Sequence, residues 1–418
     1  MRLVIITPYC DGTDVGESRS ACDWVRHLAM RYDVTVLTMQ RAGRTPLEEQ
    51  IKDLKVVSWP EPSWLRVHER LNAMMKPAYA FFYRKARRWL ADNLDNFDLV
   101  HQIGPLAMRY PCPATGLGKP YILGPLAGSL TTPPGFTQDG PIDAWYARLR
   151  AVDHLRLKHD PWLRRSYREA AHIMGAGTYV QEALDDIGIK SFSVESEIGI
   201  PNLAPLTPRR REPKTLLHIG RGVRTKGLRD AIRCLARLHE RFPDLTLISA
   251  GKGPEIDRCK AEAERLGVSA KIQFLGQVAK AETEALYQDA DIFLFPSFRE
   301  PSGNVVFEAM RHGLPVVTTD RGGPGHVVDN RSGIKVKAID PEQLAGDLAR
   351  EVSQLLLDPK RYAALVDGAR DRVATLGYWR NKLDRVDQFY QAALADDRAK
   401  PAAKTEDTDR ISSSEHAA

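Results

Sequence analysis

Residues 293–328 read FLFPSFREPSGNVVFEAMRHGLPVVTTDRGGPGHVV, and this stretch decides the fold. A short apolar run at residues 293–295 predicts a buried strand. The sequence Ser302-Gly303-Asn304 is typical of a helix start, and it precedes a predicted helix at residues 305–311. A second apolar run, at residues 316–318, predicts the next strand. Alternation of strand and helix recurs along the chain and predicts an α/β fold.

The glycine-rich segment Gly322-Gly323-Pro324-Gly325 predicts a loop whose backbone N–H groups can approach a ligand closely. Beside it, the start of the predicted helix favours a phosphate, because free N–H groups and the positive end of the helix dipole meet there. Two carboxylates, Glu300 and Glu308, flank this position and would repel a phosphate directly. We therefore expect them to bind neutral hydroxyl groups of a sugar and a ribose. The stretch predicts a nucleotide-sugar ligand.

The length of 418 residues is enough for two domains, each with its own core. The chain is 43% hydrophobic and 27% charged, which is typical of a soluble globular protein. Residues 1–8 show no signal-peptide pattern, and no apolar run is long enough to span a bilayer, so we expect a cytoplasmic protein. The five cysteines are scattered without the spacing of a metal site, which predicts reduced thiols.

The formal net charge of +6 suits an anionic ligand or a phospholipid surface. Because no basic stripe accompanies a recognisable nucleic-acid motif, we predict no nucleic-acid partner. A basic, aromatic stretch at residues 64–90, divided by Pro77, predicts two helices, and residues 145–168 repeat this character. These helices could contact the inner face of an anionic plasma membrane. The alternative is that they are ordinary amphipathic helices with a solvated basic face.

The first half of the chain opens with a predicted strand at residues 2–7, a glycine-containing loop, a helix that begins near Ser18 and a strand at residues 34–38. Such a unit predicts a parallel sheet. Doubly wound folds place ligands at the loop after a first strand. We therefore expect Gly12 and Gly16 to contact a phosphate or the acceptor, with a plain connecting turn as the alternative.

A proline-rich linker at residues 200–214 separates two sets of strand–helix alternation. We therefore predict two Rossmann-like domains that face each other across a cleft, at residues 1–203 and 204–378. A final helix at residues 379–395 is expected to return to the first domain. The polar tail at residues 396–418 is expected to be disordered.

The segment 217–227, which reads LHIGRGVRTKG, contains a strand and then a loop with Gly220, Arg221 and Lys226. Two cations at the mouth of a loop whose N–H groups point outward predict a diphosphate clamp. Such a clamp would make a divalent metal unnecessary; a solvated basic loop is the alternative. The sequence Asp289-Ala290-Asp291 resembles a metal-binding aspartate pair. Its position between a helix and a strand favours a structural role, so we predict no metal.

Residues 215–334 resemble the carboxyl-terminal domain of retaining glycosyltransferases of family 4, which have the GT-B fold. The matching motifs are GRGVRTKG, AGKGP, FLGQV, EPSGNVVFE and GGPGHVVDN. In the first half, the opening strand with its glycine-containing loop and the strand DLVHQ match by pattern. The segment GPLAGS is similar to members of this family that build cell-surface polysaccharides.

The resemblance implies a role for each matching residue. Glu300 would bind hydroxyls of the donor sugar, and Glu308 would bind the ribose. Arg221 and Lys226 would neutralise the diphosphate, Gly220 would belong to the same donor-binding loop, and His101 would lie near the donor sugar from the opposite domain. The base would rest against residues 274–278. The backbone that would hold the phosphates comprises Ser302, Gly303, Asn304 and Val305.

The resemblance also implies a reaction. The enzyme would transfer a sugar from a UDP- or GDP-sugar to a glycan or lipid-linked acceptor, with retention of configuration and without a metal or other cofactor. The departing diphosphate would accept the proton of the incoming hydroxyl, so stabilising that leaving group is the main catalytic task. Two alternatives are a nucleotide-sugar epimerase of the same fold and a non-catalytic module that binds a sugar nucleotide or a membrane.

Overall fold

Two parallel β-sheets, one in each half of the chain, form the centre of the molecule. The computed structural model describes residues 1–65, 75–139, 151–205 and 213–399. Helices and strands alternate through both halves, which confirms the predicted pair of α/β domains.

The sheet of the first domain has both faces buried. Along its opening strand, Leu3 and Ile5 pack into one core, whereas Val4 and Ile6 pack into another. This pattern is typical of a parallel sheet covered by helices on both sides. The strands are β1 (Arg2–Ile6), β2 (Asp33–Gln40), β3 (Lys55–Pro60), β4 (Leu99–Gln102), β5 (Tyr121–Leu126), β6 (His172–Gly175) and β7 (Phe192–Val194). Their order is β3-β2-β1-β4-β5-β6-β7.

The sheet of the second domain repeats this plan. Its strands are β8 (Thr215–Ile219), β9 (Thr246–Ala250), β10 (Ile272–Gly276), β11 (Ile292–Phe295), β12 (Val316–Thr319) and β13 (Gly333–Val336). Their order is β10-β9-β8-β11-β12-β13. In each sheet the order therefore reverses beside the opening strand, at β1 and at β8. Such reversal points, at the carboxyl ends of the strands, are where α/β sheets bind ligands.

Helices cover both sheets. The described helices of the first domain are α1 (Glu17–Ala29), α2 (Leu47–Gln50), α3 (Tyr79–Asp92), α4 (Ala151–His159), α5 (Pro161–Glu169) and α6 (Thr178–Ala183). Those that follow are α7 (Leu228–Leu238), α8 (Ile256–Arg265), α9 (Lys280–Asp289), α10 (Asn304–Arg311), α11 (Gly322–Val327), α12 (Pro341–Leu357), α13 (Pro359–Gly377) and α14 (Trp379–Ala399). Within the described ranges, no helix is both long enough and apolar enough to cross a membrane.

The last helix, α14, packs against the first domain. Trp379 meets Trp24 edge-on, with ring centroids 5.3 Å apart, and Tyr390 contacts His101. The helix continues to Ala399, so the prediction that disorder begins at residue 396 is wrong for residues 396–399. The rest of the predicted tail, residues 400–418, lies outside the described residues.

The glycine-rich segment after β12 differs from its prediction. Residues 322–325 form the start of α11 and not a loop, because Gly325 N–H donates to Arg321 O at 3.2 Å and Val328 N–H donates to Pro324 O at 3.0 Å. These helical hydrogen bonds use backbone groups that were expected to face a ligand. Parts of the predicted basic helices, at residues 66–74 and 145–150, and residues 206–212 of the linker lie outside the described residues.

Candidate active site

The loops after β8 and β11 lie beside each other, because these two strands are parallel neighbours in the sheet. They comprise residues 220–227 and 296–303. The strand order reverses between them, so they occupy the edge where such sheets bind ligands. One loop supplies the predicted cations and the other supplies the first predicted carboxylate.

Lys226 and Glu300 connect the two loops through an ion pair between Nζ and Oε2. Burial, together with the positive charges of Arg221 and Arg299, lowers the pKa of Lys226 to about 7. The adjacent carboxylate of Glu300 opposes this change, because it favours the charged ammonium group. We take both groups to be charged, since a neutral Lys226 would leave a largely buried carboxylate without its counter-ion.

The other residues of the first loop are placed differently. Arg221 is exposed, and its side chain makes no ion pair or hydrogen bond with any residue that the structure describes. Its charge is therefore available to an anionic ligand. Gly220 N–H donates to Ala250 O at 3.0 Å, so this amide belongs to the sheet and does not face the ligand.

Helix α10 begins directly after Gly303, which has a φ of 74°. A Cβ atom at this position would lie 2.9 Å from Pro324 N, so the close approach requires glycine. Glu300 Oε1 lies 3.4 Å from the backbone nitrogens of both Ser302 and Gly303. The carboxylate thus faces the amides that were predicted to bind phosphate, and a phosphate bound there would have to move it aside.

The second glutamate, Glu308, lies further along α10 and is exposed. Its Oε2 accepts a hydrogen bond from the hydroxyl of Tyr287 at 3.0 Å. The same hydroxyl donates weakly to Val305 O at 3.4 Å. The two glutamates therefore have different partners, Lys226 and Tyr287, and do not pair with each other.

In the glycine loop of the first domain, the amide of Gly12 has a partner within the protein. Gly12 N–H donates to Gln50 Oε1 at 2.7 Å, and Gly12 O accepts from Arg19. Gly16 is exposed and has a φ of 65°, which suits the residue just before α1. Gln50 thus takes the N–H of Gly12 in this structure, and the contact of Gly12 and Gly16 with a phosphate or the acceptor stays a prediction.

His101 lies at the end of β4 but belongs to the core. It is fully buried, and its ring nitrogens lie 2.6 Å from Tyr390 Oη and 2.7 Å from Gly124 O. Burial lowers the pKa of His101 to about 4, so the ring is neutral at pH 7. Both ring nitrogens have partners inside the protein in this structure, so the contact with a donor sugar that the resemblance implies for His101 stays a prediction.

Of the two aspartates Asp289 and Asp291, the second binds backbone amides of the second domain. Asp291 Oδ2 accepts the backbone N–H groups of Lys214 at 2.9 Å and Thr215 at 3.0 Å, which secures the start of β8. Among the residues that the structure describes, no group of three or more His, Cys, Asp or Glu side chains is arranged to hold a metal ion.

Two family models match adjacent parts of the chain. One, described as "Glycosyl transferase 4-like domain", matches residues 15–194, and the other, "Glycosyl transferases group 1", matches residues 203–372. The chain belongs to the GT-B glycosyltransferases. Both halves of this glycosyltransferase are covered, including the loops that carry Lys226 and Glu300.

Individual relatives agree with this family. A glycogen synthase of Mycobacterium tuberculosis is 34% identical over 261 residues, which are 58% of this chain and 62% of that protein. A D-inositol 3-phosphate glycosyltransferase of Corynebacterium urealyticum is 33% identical over 43% of each chain. The glycosyltransferase thus matches less than two thirds of the length of these curated relatives. The crystal structure of Anabaena HepE in complex with UDP has the same fold, with a TM-score of 0.61, 16% identity and coverage of 94% of this chain and 100% of that one.

The sequence did not point to one further polar residue of the site. Glu197, in the segment after β7, accepts a hydrogen bond from Asn304 Nδ2 at 2.9 Å, and burial raises the pKa of its carboxyl group. It therefore connects the first domain to the start of α10 in this glycosyltransferase. A single glutamate outside any motif carries no signal for such a contact; only its place just before the linker, where two domains must meet, could have suggested it.

Proposed function

We propose that this chain transfers a glycosyl group from a nucleoside diphosphate sugar to a hydroxyl acceptor, with retention of configuration and without a metal. The observation that carries the proposal is the buried pair of Lys226 and Glu300 at the start of α10, next to the exposed and unpaired Arg221. A diphosphate would meet two cations and the free amides of a helix start. Glu300, once displaced from those amides, would remain close enough to bind sugar hydroxyls.

In the proposed reaction the bond between the sugar C1 and the diphosphate oxygen breaks. The acceptor hydroxyl forms a new bond to C1 on the same face, and its proton passes to the departing diphosphate oxygen. Lys226 and Arg221 stabilise the negative charge that develops on the leaving group. Because this charge is larger in the transition state than in the bound donor, the two cations lower the barrier to transfer. Glu308, oriented by the hydrogen bond from the buried Tyr287, would hold the ribose, so the nucleotide half is fixed while the sugar half reacts.

The donor that we propose is a UDP- or GDP-sugar. Support comes from Anabaena HepE, whose structures contain UDP, UDP with glucose, or UDP-glucose. At 16% identity, the similarity to that protein shows a shared fold. The base and the sugar that this chain uses are therefore part of our proposal.

The acceptor that we propose is a glycan or a lipid-linked glycan. A lipid carrier would bring the protein to an anionic membrane, where α3 offers the exposed side chains of Arg84, Lys85 and Arg88. The aromatic residue Phe82 of the same helix is fully buried. Contact with a membrane would therefore depend on positive charge and not on insertion of this ring, and it would weaken with added salt.

The proposed donor is tested by measuring the melting temperature of the protein with each of a panel of nucleotide-sugars. A ligand that binds the folded state stabilises it by RT ln(1 + [L]/Kd), about 2.7 kcal/mol at one hundred times Kd. We expect UDP- or GDP-sugars to raise the melting temperature, whereas the matching nucleoside monophosphates, which lack the diphosphate, should raise it much less.

The best donor is then incubated with and without candidate glycan acceptors. Release of nucleoside diphosphate that depends on the acceptor supports transfer. Conversion of the donor alone into its sugar epimer would instead make the protein an epimerase. If no nucleotide-sugar shifts the melting temperature, the proposed function is wrong.

A further inference from the structure

A segment of the first domain, residues 130–139, lies on the second domain; we call it the strap. Thr131 O accepts a hydrogen bond from Arg321 at 2.7 Å, and Thr132 Oγ1 accepts one from Arg299 at 2.9 Å. Arg299 and Arg321 belong to the loops after β11 and β12. The strap therefore crosses the carboxyl edge of the second sheet, beside the candidate donor site.

An aromatic contact anchors the middle of the strap. Phe136 is fully buried and belongs to the core of the second domain, although it comes from the first half of the chain. Its ring stacks on Phe298 with centroids 4.1 Å apart. The guanidinium carbon of Arg224 lies 5.4 Å from the ring of Phe136 and 5.2 Å from that of Phe298. One arginine of the loop at residues 220–227 is thus enclosed by the strap and by the neighbouring loop.

An acidic residue of the strap completes this enclosure. Arg224 is almost fully buried; it forms two hydrogen bonds to Asp230, at 2.5 and 3.0 Å, and a third to Asp139 Oδ2 at 2.8 Å. Asp139 also contacts Arg229 and Arg233, at 3.3 Å each. Burial opposes ionisation of Asp139, but the hydrogen bond from Arg233 and the charges of the other arginines outweigh it and lower its pKa. Asp139 is therefore a charged contact that comes from the other domain.

Arg224 and Lys226 are separated by a single residue, Thr225. Residues Arg224–Lys226 form a single 3-10 turn, in which Lys226 N–H donates to Val223 O at 3.0 Å. The carbonyl of Thr225, between the two, accepts a hydrogen bond from Ser297 Oγ at 2.8 Å. A turn this tight cannot shift at Arg224 without moving the backbone of Lys226 as well.

We propose that the strap is a positioning element of the donor site: through Phe136 and Asp139 it holds Arg224, and thereby it sets the position of Lys226 opposite Glu300. This inference rests on the proposed function for the identity of the ligand, but not for the mechanical link. The second domain supplies the cations, and a segment of the first domain determines where one of them lies. Strap residues touch neither nucleotide nor sugar and act only through Arg224.

The test compares Asp139→Asn with wild type in the full chain. The substitution keeps the shape of the side chain and removes the charge that the strap places beside Arg224, while Asp230 in the second domain still holds the other side of the guanidinium group. Asp244→Asn is the matched control, because Asp244 forms an exposed ion pair with Lys214 elsewhere in the second domain. Hydrogen exchange of peptides that cover residues 220–227 is measured without ligand, and UDP affinity is measured by calorimetry.

We expect Asp139→Asn to accelerate exchange in residues 220–227 by about tenfold, while exchange in α10 stays unchanged. UDP affinity should fall by about tenfold, with the KM for the acceptor unaltered, because misplacement of a positioned group weakens binding at that group. Phe136→Leu, which keeps an apolar side chain but loses the ring stack, should show the same pattern more weakly.

Two results would overturn the inference. One is exchange in residues 220–227 that matches the Asp244→Asn control. The other is equal acceleration throughout the second domain, which would make the strap a general stabilising contact. If wild-type protein binds neither UDP nor GDP, the proposed function fails, whereas the ligand-free exchange measurement still decides whether the strap positions the loop.

Discussion

Two loops of this glycosyltransferase occupy the same place in the two domains but differ in what they leave open. The loop at residues 7–16 follows β1, and the loop at residues 220–227 follows β8, each beside the point where the strand order reverses. In the first loop the amide of Gly12 is taken by Gln50, and Asp14 is paired with Arg41. In the second loop Arg221 is exposed and unpaired among the described residues.

This difference separates the fold from the chemistry. The same strand arrangement produces a crevice in both domains, but only the second loop leaves positive charge available to an anion. The first loop contains two acidic residues, Asp11 and Asp14, and both pair with Arg41 after β2. A loop without a free cation suits a neutral ligand such as a glycan better than a phosphate. This difference supports our proposal that the donor diphosphate binds to the second domain and the acceptor to the first.

The largest effect is expected from removing the cation of the second loop. Lys226→Ala should lower kcat with a nucleotide-sugar donor by about 10²- to 10³-fold, because the charge that develops on the leaving group loses a preorganised contact. Steady-state kinetics with saturating acceptor measures this change. Arg41→Ala is the matched control beside the first loop, and it should leave the KM for the donor unchanged. Equal losses in the two variants would contradict the assignment of the donor to the second loop.

Replacing the partner of Lys226 sharpens the same comparison. Glu300→Ala should lose most transfer, because the donor sugar loses its carboxylate contact, yet it should bind free UDP at least as tightly as wild type. The reason is that Glu300 faces the amides of Ser302 and Gly303, which a phosphate must reach. Calorimetry with UDP separates the two effects. Weaker binding of UDP would show that Glu300 helps to hold the nucleotide itself.

Local patterns in the sequence were enough to predict the start of α10 but not the long-range contacts around the loop at residues 220–227. The stretch EPSGNVVFE contains its own helix start, and the need for glycine at residue 303 follows from a positive φ at that position. In contrast, Phe136 lies in a proline-rich segment with no periodic pattern, and its burial against Phe298 depends on a contact more than a hundred residues away in the chain. His101 illustrates the same limit, because the local sequence of a histidine at the end of a strand is the same whether its side chain faces a cleft or a core.

Acid should destabilise both domains through buried histidines, which are His101 and His172 in the first domain and His218 in the second. Burial lowers the pKa of all three to about 4, from 6.5. All three rings are neutral in the folded protein between pH 4 and 7, whereas in the unfolded chain they take up a proton below pH 6.5. The free energy of unfolding is therefore unaffected by these histidines above pH 6.5, and it decreases as the pH falls towards 4. Each histidine should contribute up to about 1.4 kcal/mol per pH unit in that window.

Chemical denaturation at pH 7, 6 and 5 measures this dependence. His101→Gln should reduce the acid dependence of the transition that reports on the first domain, and His218→Gln that of the second, if the domains unfold separately. An acid dependence that neither substitution changes would assign the effect to other groups, such as the paired carboxylates.

The smallest effect on UDP affinity is expected from adding one methyl group to the first loop, and a methyl group added to the second loop should have a larger effect. A Cβ atom at Gly12 would lie 3.2 Å from Cys22 Sγ and from Gln50 Oε1, both of which are side-chain atoms that can move slightly. A Cβ atom at Gly222, in the second loop, would lie 2.7 Å from Ile256 Cγ1 and 3.0 Å from the backbone nitrogen of Gly253, which cannot. Gly12→Ala should therefore keep UDP affinity within about twofold of wild type.

Gly222→Ala should weaken UDP affinity by about tenfold, because the loop that carries both cations must shift. Calorimetry on the two variants measures the difference, and comparable losses would mean that the first loop also binds the nucleotide.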